Sequence, residues 1–156
     1  MRITLTIPGE PIAQPRPRAT AKPVGGGKWI GVVYNPKDAE PYKARIAEVA
    51  TPLRPPILHT GPVRVDILWV FPRPQYLLTK SAPRERLPYT PKPDRDNLDK
   101  AVLDAFVECG YWRDDAQVYD GRITKWWAAI GEEPHTEIVI TLQPSTGAIE
   151  SPTPTP

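Results

Sequence analysis

Residues 92–118 read KPDRDNLDKAVLDAFVECGYWRDDAQV, and this stretch decides the fold. Apolar side chains recur along it at helical spacing, at Leu98, Ala101, Val102, Ala105 and Phe106. Such spacing predicts a helix with one face in the core. We expect this helix to run from about Asn97 to Cys109 and to end at Gly110, because glycine readily adopts the left-handed conformation that follows many helices.

A narrow polar stripe runs along another side of the same helix. Its members lie four residues apart and are Asp96, Lys100, Asp104 and Glu108. Asp94 precedes the stripe, and Asp114-Asp115 follows the helix. The spacing leaves two interpretations open. In one, these are solvated ion pairs worth ~0.2–0.5 kcal/mol each, with Asp96 as a helix cap and Asp114-Asp115 as a turn. In the other, the carboxylates together bind a hard cation.

The second interpretation points to metal-assisted chemistry on a phosphate. Mg²⁺ keeps several of its waters, so two or three carboxylates from different elements are enough to bind it. Asp94 and Asp96 are two residues apart, which directs both side chains to one side of an extended segment, and Asp115 approaches from the turn after the helix. Lys100, one helical turn beyond Asp96, then lies where it contacts a phosphate or stabilises a leaving group.

The rest of the chain predicts a small mixed β-sheet. Strands are expected at residues 2–7, 29–34, 63–71, 123–130 and 137–142. A first helix is expected after Asp38, which is placed to cap it, with Pro41 in its first turn. Residues 9–28 and 72–93 are rich in proline and basic side chains, so we expect long loops there.

These elements predict an α+β fold in which two main helices pack on a mixed sheet. Residues 1–142 are expected to form this domain. Residues 143–156 are rich in proline and threonine and bury little apolar area, so a disordered tail is expected there.

Composition excludes several classes of protein. A single cysteine, Cys109, leaves no intramolecular disulfide and no thiolate zinc site. Gly25-Gly26-Gly27 lacks the Lys-Ser/Thr pair of a nucleotide-binding loop. No apolar run approaches the ~20 residues that cross a bilayer. We therefore expect a soluble cytoplasmic protein without a membrane partner.

Basic side chains concentrate in the two predicted loops and beside the acidic stretch. The candidate DNA-binding residues are Arg16, Arg18, Lys22, Lys28, Arg84, Arg86, Lys92 and Arg95. Cations around an acidic pocket allow a polyanion to approach it, because they neutralise phosphates. The alternative is that these are solvated loop charges.

Trp112 and the pair Trp126-Trp127 are expected in the core or at a subunit interface rather than stacked on bases. Adjacent strand residues face opposite sides of a sheet, so one of Trp126 and Trp127 is expected to meet a partner subunit.

The acidic stretch resembles the signature of RusA-type Holliday junction resolvases. The resemblance lies in Lys-Pro-Asp-x-Asp-Asn-Leu-x-Lys at residues 92–100, Asp104-Ala105, Gly110, and Asp-Asp-x-Gln-Val at residues 114–118. Pro8-Gly9-Glu10-Pro11, Arg16-Pro17-Arg18 and Tyr34-Asn35-Pro36 are similar to phage and prophage members. The resemblance covers most of residues 1–142.

This resemblance implies a RusA-like homodimer that nicks four-way DNA junctions symmetrically in recombination and repair, in a bacterial or phage-infected cell. It implies Mg²⁺ as cofactor, with Mn²⁺ able to substitute. By motif position Asp94, Asp96 and Asp115 are metal-binding catalytic carboxylates and Lys100 is the catalytic lysine. Asp104 and Asp114 take supporting positions.

Two other functions use the same residues. One is a branched-DNA-binding protein that has lost catalysis, and the other is a metal-dependent hydrolase of small phosphoanhydrides.

Overall fold

The computed structural model describes residues 1–34 and 36–145. The predicted tail falls outside the described residues from position 146 onward, as does Asn35 of the Tyr34-Asn35-Pro36 motif. The strands are β1 (Arg2–Pro8), β2 (Arg18–Pro23), β3 (Trp29–Tyr34), β4 (Val63–Phe71), β5 (Leu87–Pro88), β6 (Val118–Asp120), β7 (Ile123–Trp127) and β8 (His135–Leu142). The helices are α1 (Glu40–Ala50) and α2 (Arg95–Glu108), with short 3-10 helices at Thr51–Leu53, Gln75–Leu77 and Asp115–Gln117.

Strand β4 is the centre of a mixed sheet ordered β1-β8-β4-β7-β5, in which β6 also pairs with β4. On one side β4 runs antiparallel to β8, with Val63 opposite Leu142 and Val70 opposite His135. On its other side it runs parallel to β7, from Ile67 opposite Ile123. A strand paired on both sides is buried more than an edge strand, which agrees with its β-branched and aromatic sequence.

Both helices cover one face of this sheet, and the core lies between them and the strands. The predicted apolar face of α2 is confirmed, since all five of its residues are no more than 1% exposed. They pack with inward-facing strand residues such as Leu5, Val65 and Ile138. The predicted α+β architecture is therefore correct.

Helix α2 connects two parallel neighbours, β4 and β7. Parallel strands need such a crossover, and the helix returns the chain to the end of the sheet at which β4 began. Gly121 precedes β7 where the chain presses against β4, and a Cβ there would lie 1.9 Å from the Val65 carbonyl oxygen. Only glycine fits at this close approach.

Several predicted boundaries are wrong. Residues 9–28 are not one loop, because β2 lies within them and pairs with β3 as a separate two-stranded sheet. Strand β2 lacks an alternating pattern because all six of its residues are exposed. Asp38 does not cap α1, which has Ala39 at its N-cap position and no side-chain capping bond. Helix α2 begins at Arg95, so its N-cap position is Asp94 and not Asp96.

The segment 72–93 is organised by Arg73, a role that the sequence analysis did not predict. Its guanidinium donates to the carbonyl oxygens of Leu77 at 3.0 Å, Pro83 at 2.6 Å, Glu85 at 2.6 Å and Ala128 at 2.8 Å. Four backbone segments are thereby tied to one side chain. A long proline-rich segment without a core of its own is held in one conformation by these bonds.

Trp126 and Trp127 face opposite sides of the sheet, as predicted. Trp127 packs against the core and lies 4.4 Å from Tyr89, measured between ring centroids. Trp126 lies on the face that neither helix covers and lines a shallow cavity there together with Leu68 and Val139. Trp112 is fully buried in the core. In the described part of the chain, no helix is both long enough and apolar enough to cross a membrane.

Replacing Arg73 by methionine is expected to lower the free energy of unfolding by about 1.5–3 kcal/mol, because charged hydrogen bonds of this kind are lost. Thermolysin cleavage within residues 74–88 should accelerate accordingly. Arg84→Met is the matched control, since Arg84 is an exposed arginine of the same segment. Equal unfolding curves for the two variants would contradict the role given to Arg73.

Candidate active site

Two acidic side chains stand at the start of α2. Asp94 occupies the N-cap position with an extended backbone but makes no side-chain capping bond, and Asp96 lies in the first turn. Both are exposed. The N-terminal end of a helix carries a partial positive charge, so negatively charged side chains are stabilising there.

Lys125 of β7 stands beside Asp94. Its ammonium group donates to the carbonyl oxygens of Pro91 at 3.1 Å and Pro93 at 2.9 Å. Burial lowers the pKa of Lys125, and the nearby Asp94 carboxylate opposes this shift. Lys125 was not predicted as a site residue, because it is distant in sequence and reaches the site only through the parallel pairing of β7 with β4.

Arg16 contacts the second carboxylate. Its guanidinium lies 3.4 Å from the Asp96 carboxylate, and both side chains are largely exposed. Nearby, the backbone amide of Gln14 donates to the Asn97 carbonyl oxygen at 2.9 Å. The segment that leads into β2 is thus attached to the first turn of α2.

Further along the polar stripe, the Lys100 ammonium group lies 3.1 Å from the Asp104 carboxylate. Lys100 is 61% exposed and Asp104 is 23% exposed. Such a pair contributes little to stability at a surface. It does direct the lysine along the stripe toward the turn that carries Asp115.

Asp115 is positioned by a turn that is closed from both ends. Asp114 accepts a hydrogen bond from the Ala116 amide at 2.7 Å, while the Gln117 side chain accepts from the amides of Arg113 at 2.8 Å and Asp114 at 3.1 Å. This is a capping box. Asp114 therefore has a structural role, in agreement with the turn interpretation of that residue.

Gln117 also ties this turn to a distant loop. Its side-chain amide donates to the carbonyl oxygens of His59 at 3.1 Å and Gly61 at 2.9 Å. All hydrogen-bonding groups of the Gln117 side chain are thus used to hold Asp115 in place. The sequence analysis gave Gln117 no role beyond its place in the motif.

The surroundings of Asp115 disfavour the negative charge of its carboxylate, so a nearby cation would be favourable. Burial raises its pKa, and the neighbouring Asp104 carboxylate raises it further, while Lys100 acts in the opposite direction. Its Oδ1 atom is buried and has no hydrogen-bond partner. Burial, together with the charge of Asp115, also raises the pKa of Asp99. Uncompensated negative charge therefore accumulates between α2 and the turn.

The acids form two neighbouring groups rather than one. Asp94 and Asp96 mark the start of α2, while Asp104, Asp114 and Asp115 line a cavity of about 210 Å³ with Glu108 and Arg113. Among residues 1–34 and 36–145, no three His, Cys, Asp or Glu side chains are grouped closely enough to hold a metal ion. The oxygen donors and the orphaned Asp115 oxygen nevertheless fit a hard divalent cation, which binds few carboxylates and keeps its waters.

The candidate DNA-binding residues differ in their surroundings. Arg86 pairs with Glu132 at 2.6 Å and with Glu137 at 2.9 Å, which gives it a structural role between β5 and β8 that was not predicted. Arg95 donates to the Ile123 carbonyl oxygen at 3.3 Å. Arg95 is itself exposed, as are the remaining candidates, Arg16, Arg18, Lys22, Lys28, Arg84 and Lys92.

A protein-family model described as endodeoxyribonuclease RusA matches residues 8–141. This range includes both acidic groups and every strand except β1, of which it covers only Pro8, and the last residue of β8. The chain belongs to the RusA endodeoxyribonuclease family. Its activity is accordingly the hydrolysis of phosphodiester bonds within DNA.

Comparison with single proteins of the RusA family and its relatives agrees with this assignment. The uncharacterized protein YqaN of Bacillus subtilis (strain 168) is 35% identical over 143 residues, which cover 88% of this chain and 94% of YqaN. The crossover junction endodeoxyribonucleases RusA of Escherichia coli (strain K12) and rusA of Enterobacteria phage 82 are each 56% identical over 32 residues. Those matches cover 20% of this chain and 27% of each relative.

The substitution Asp104→Asn is expected to lower the pKa of Asp115, because it removes the charge that disfavours the ionised carboxylate. NMR titration of the Asp115 side chain measures this change. Glu48→Gln, on an exposed face of α1, should leave the titration unchanged. An Asp115 titration that is identical in Asp104→Asn and in the parent protein would show that the two carboxylates do not interact.

Proposed function

We propose that this RusA-family protein is a Mg²⁺-dependent, structure-specific endodeoxyribonuclease that resolves Holliday junctions by paired symmetric nicks. Mn²⁺ is proposed to substitute for Mg²⁺. The observation that carries the proposal is Asp115, whose buried and unpartnered oxygen lies beside Asp104 within a RusA-family domain. The names of the Escherichia coli and phage 82 relatives, crossover junction endodeoxyribonucleases, support junctions as the substrate.

Asp94, Asp96 and Asp115 are the residues we propose as ligands. Their carboxylates supply the oxygen donors that Mg²⁺ prefers, and the Asp94 and Asp96 side chains are both exposed. Bound by these carboxylates, Mg²⁺ would supply a water of lowered pKa and would neutralise charge on the phosphoryl group.

The protein's own cations would act on the DNA backbone. Lys100 is proposed to contact the scissile phosphate, and its pairing with Asp104 at 3.1 Å orients the ammonium group. Lys125 provides a second ammonium group beside Asp94. Both lysines are placed to reduce the repulsion between phosphates and the carboxylates.

Residues 1–142 are proposed to hold the whole activity, and the cytoplasm is proposed as its location. Two symmetric cuts need two active sites, so we also propose a homodimer. The sheet face that the helices leave uncovered, where Trp126 lies beside Leu68 and Val139, supports a subunit interface there.

Light scattering in the absence of DNA tests the dimer. The expected mass is twice that of the 17.4 kDa chain. Trp126→Arg, which places a charge on the uncovered face, should shift the mass toward the monomer. Tyr119→Arg, at an exposed position of β6, is the control that should keep the dimer. A monomeric parent protein at micromolar concentration would refute the proposed assembly.

Cleavage of a synthetic four-way junction tests the activity. With Mg²⁺, the parent protein should produce two symmetric nicks, and Asp94→Asn, Asp96→Asn and Asp115→Asn should each reduce the rate by at least about a hundredfold while binding is retained. Lys100→Met should also lose cleavage, whereas Glu48→Gln should behave as the parent.

Three outcomes would contradict this function. Junction binding without cleavage in Mg²⁺ or Mn²⁺ would identify a binding protein without catalysis. Turnover of free nucleotides in preference to DNA would identify a phosphoanhydride hydrolase. Equal cleavage of linear duplex and four-way junction would remove the structure specificity.

A further inference from the structure

Strands β2 and β3 form a hairpin that stands apart from the main sheet. They pair only with each other, and of their twelve residues only Val32 is not exposed. An isolated two-stranded hairpin is marginally stable in water, so a hairpin of this kind gains from a binding partner. We call residues 11–37, which contain the hairpin and its connections, the arm.

The charge of the arm indicates the class of partner. Of the chain's 20 lysine and arginine residues, five lie in the arm, and none of its 18 aspartate and glutamate residues does. The five are Arg16, Arg18, Lys22, Lys28 and Lys37. A segment with cations and no carboxylate is suited to bind a polyanion. The remainder of the chain has more acidic than basic side chains.

The register of the hairpin separates its two faces. Arg18 lies opposite Tyr34 and Lys22 opposite Ile30, which places both cations on one face. The other face holds Ala19, Ala21, Pro23, Trp29, Gly31 and Val33, and all of them are exposed. This apolar face has no cover among the described residues.

Trp29 is the prominent side chain of the apolar face. It is 66% exposed, and it is the one exposed tryptophan of the five in the chain, all of which the structure describes. It is the first residue of β3 and lies opposite Pro23, next to the glycine-rich tip at residues 24–28. In this tip the Val24 amide donates to the Lys28 carbonyl oxygen at 3.0 Å, and the Lys28 amide donates to the Gly25 carbonyl oxygen at 3.1 Å. Six-residue strands extend roughly 20 Å, so Trp29 lies about that far from the start of the hairpin.

The base of the arm is attached to the active site. The Gln14–Asn97 backbone hydrogen bond and the Arg16–Asp96 ion pair hold it to the first turn of α2. Whatever the arm binds is therefore held at a set distance from Asp94 and Asp96. The major groove of a continuous duplex also admits a two-stranded ribbon, but its bases are stacked on both faces, whereas the opening at a four-way branch point offers base faces without a stacking neighbour to the apolar face of the arm.

We propose that the arm enters the branch point of junction DNA, where the Trp29 indole stacks on the exposed face of a base pair that flanks the branch point, while Arg18 and Lys22 on the opposite face bind phosphates. This inference rests on the proposed junction substrate. Base stacking on an exposed indole requires a base that is free of its own stack, and branch points supply such bases more readily than duplex. The arm thus selects branched over linear DNA.

Binding measured in EDTA tests this role without cleavage. Trp29→Ala should weaken binding to a four-way junction by about 5- to 100-fold and binding to a duplex of the same sequence by less than about twofold. Trp29→Phe should restore most of the junction affinity. Tyr76→Ala, at a residue 69% exposed outside the arm, is the matched control and should bind as the parent does.

Tryptophan fluorescence provides a second test, with the variant Trp29→Phe, which keeps an aromatic ring at this position. Junction DNA should quench the tryptophan fluorescence of the parent protein, and Trp29→Phe should lose that part of the quenching. Unchanged junction affinity in Trp29→Ala, or equal quenching in Trp29→Phe, would overturn the inference. So would loss of the dimer in Trp29→Ala without DNA, because the arm would then be an interface between copies.

The outcomes separate this inference from the proposed function. A parent protein that nicks junctions while Trp29→Ala binds normally keeps the function and overturns the role of Trp29. A parent protein that never nicks junctions loses the proposed activity, yet a junction-specific defect in Trp29→Ala would still support the arm as a reader of branched DNA.

Discussion

Parallel pairing of β4 with β7 requires the chain to cross back to the end of the sheet at which β4 began, and α2 makes that crossing. Burial of the helix's apolar face against the sheet sets which way its polar stripe points. Leu98, Val102 and Phe106 are fully buried, so rotation of α2 about its axis would expose them. The carboxylates and Lys100 are thereby kept at the surface by packing on the opposite side of the same helix.

Electrostatics at this surface oppose folding locally. Asp99 and Asp115 both have raised pKa values because burial and neighbouring carboxylates disfavour their charge. Proteins retain such strain at functional sites, where a ligand or cofactor relieves it. Gln117 holds Asp115 in this unfavourable place through neutral amide hydrogen bonds, and the Asp114 carboxylate adds a charge-assisted one.

Prediction from sequence succeeded where the signal was local. The periodicity of α2 and the composition of β4 were sufficient to predict these two elements. Burial of one face, or of a whole strand, leaves a recognisable pattern of apolar residues within a short stretch of sequence. Lys125 and Gln117 were not found because their contacts bridge 32 and 56 residues of sequence. Strand β2 was missed for another reason, since a strand exposed on both faces has no apolar alternation to detect.

The loop that accepts hydrogen bonds from Gln117 carries no charge pattern and belongs to no motif. A Cβ on Gly61 would lie 2.8 Å from the Gln143 carbonyl oxygen, so the loop has no room for a larger residue there. Lengthening it by one residue would move the His59 and Gly61 carbonyls away from the amide that they hold. An otherwise ordinary surface loop is thus as intolerant of insertion as the acidic stretch itself, because its length sets the position of Asp115.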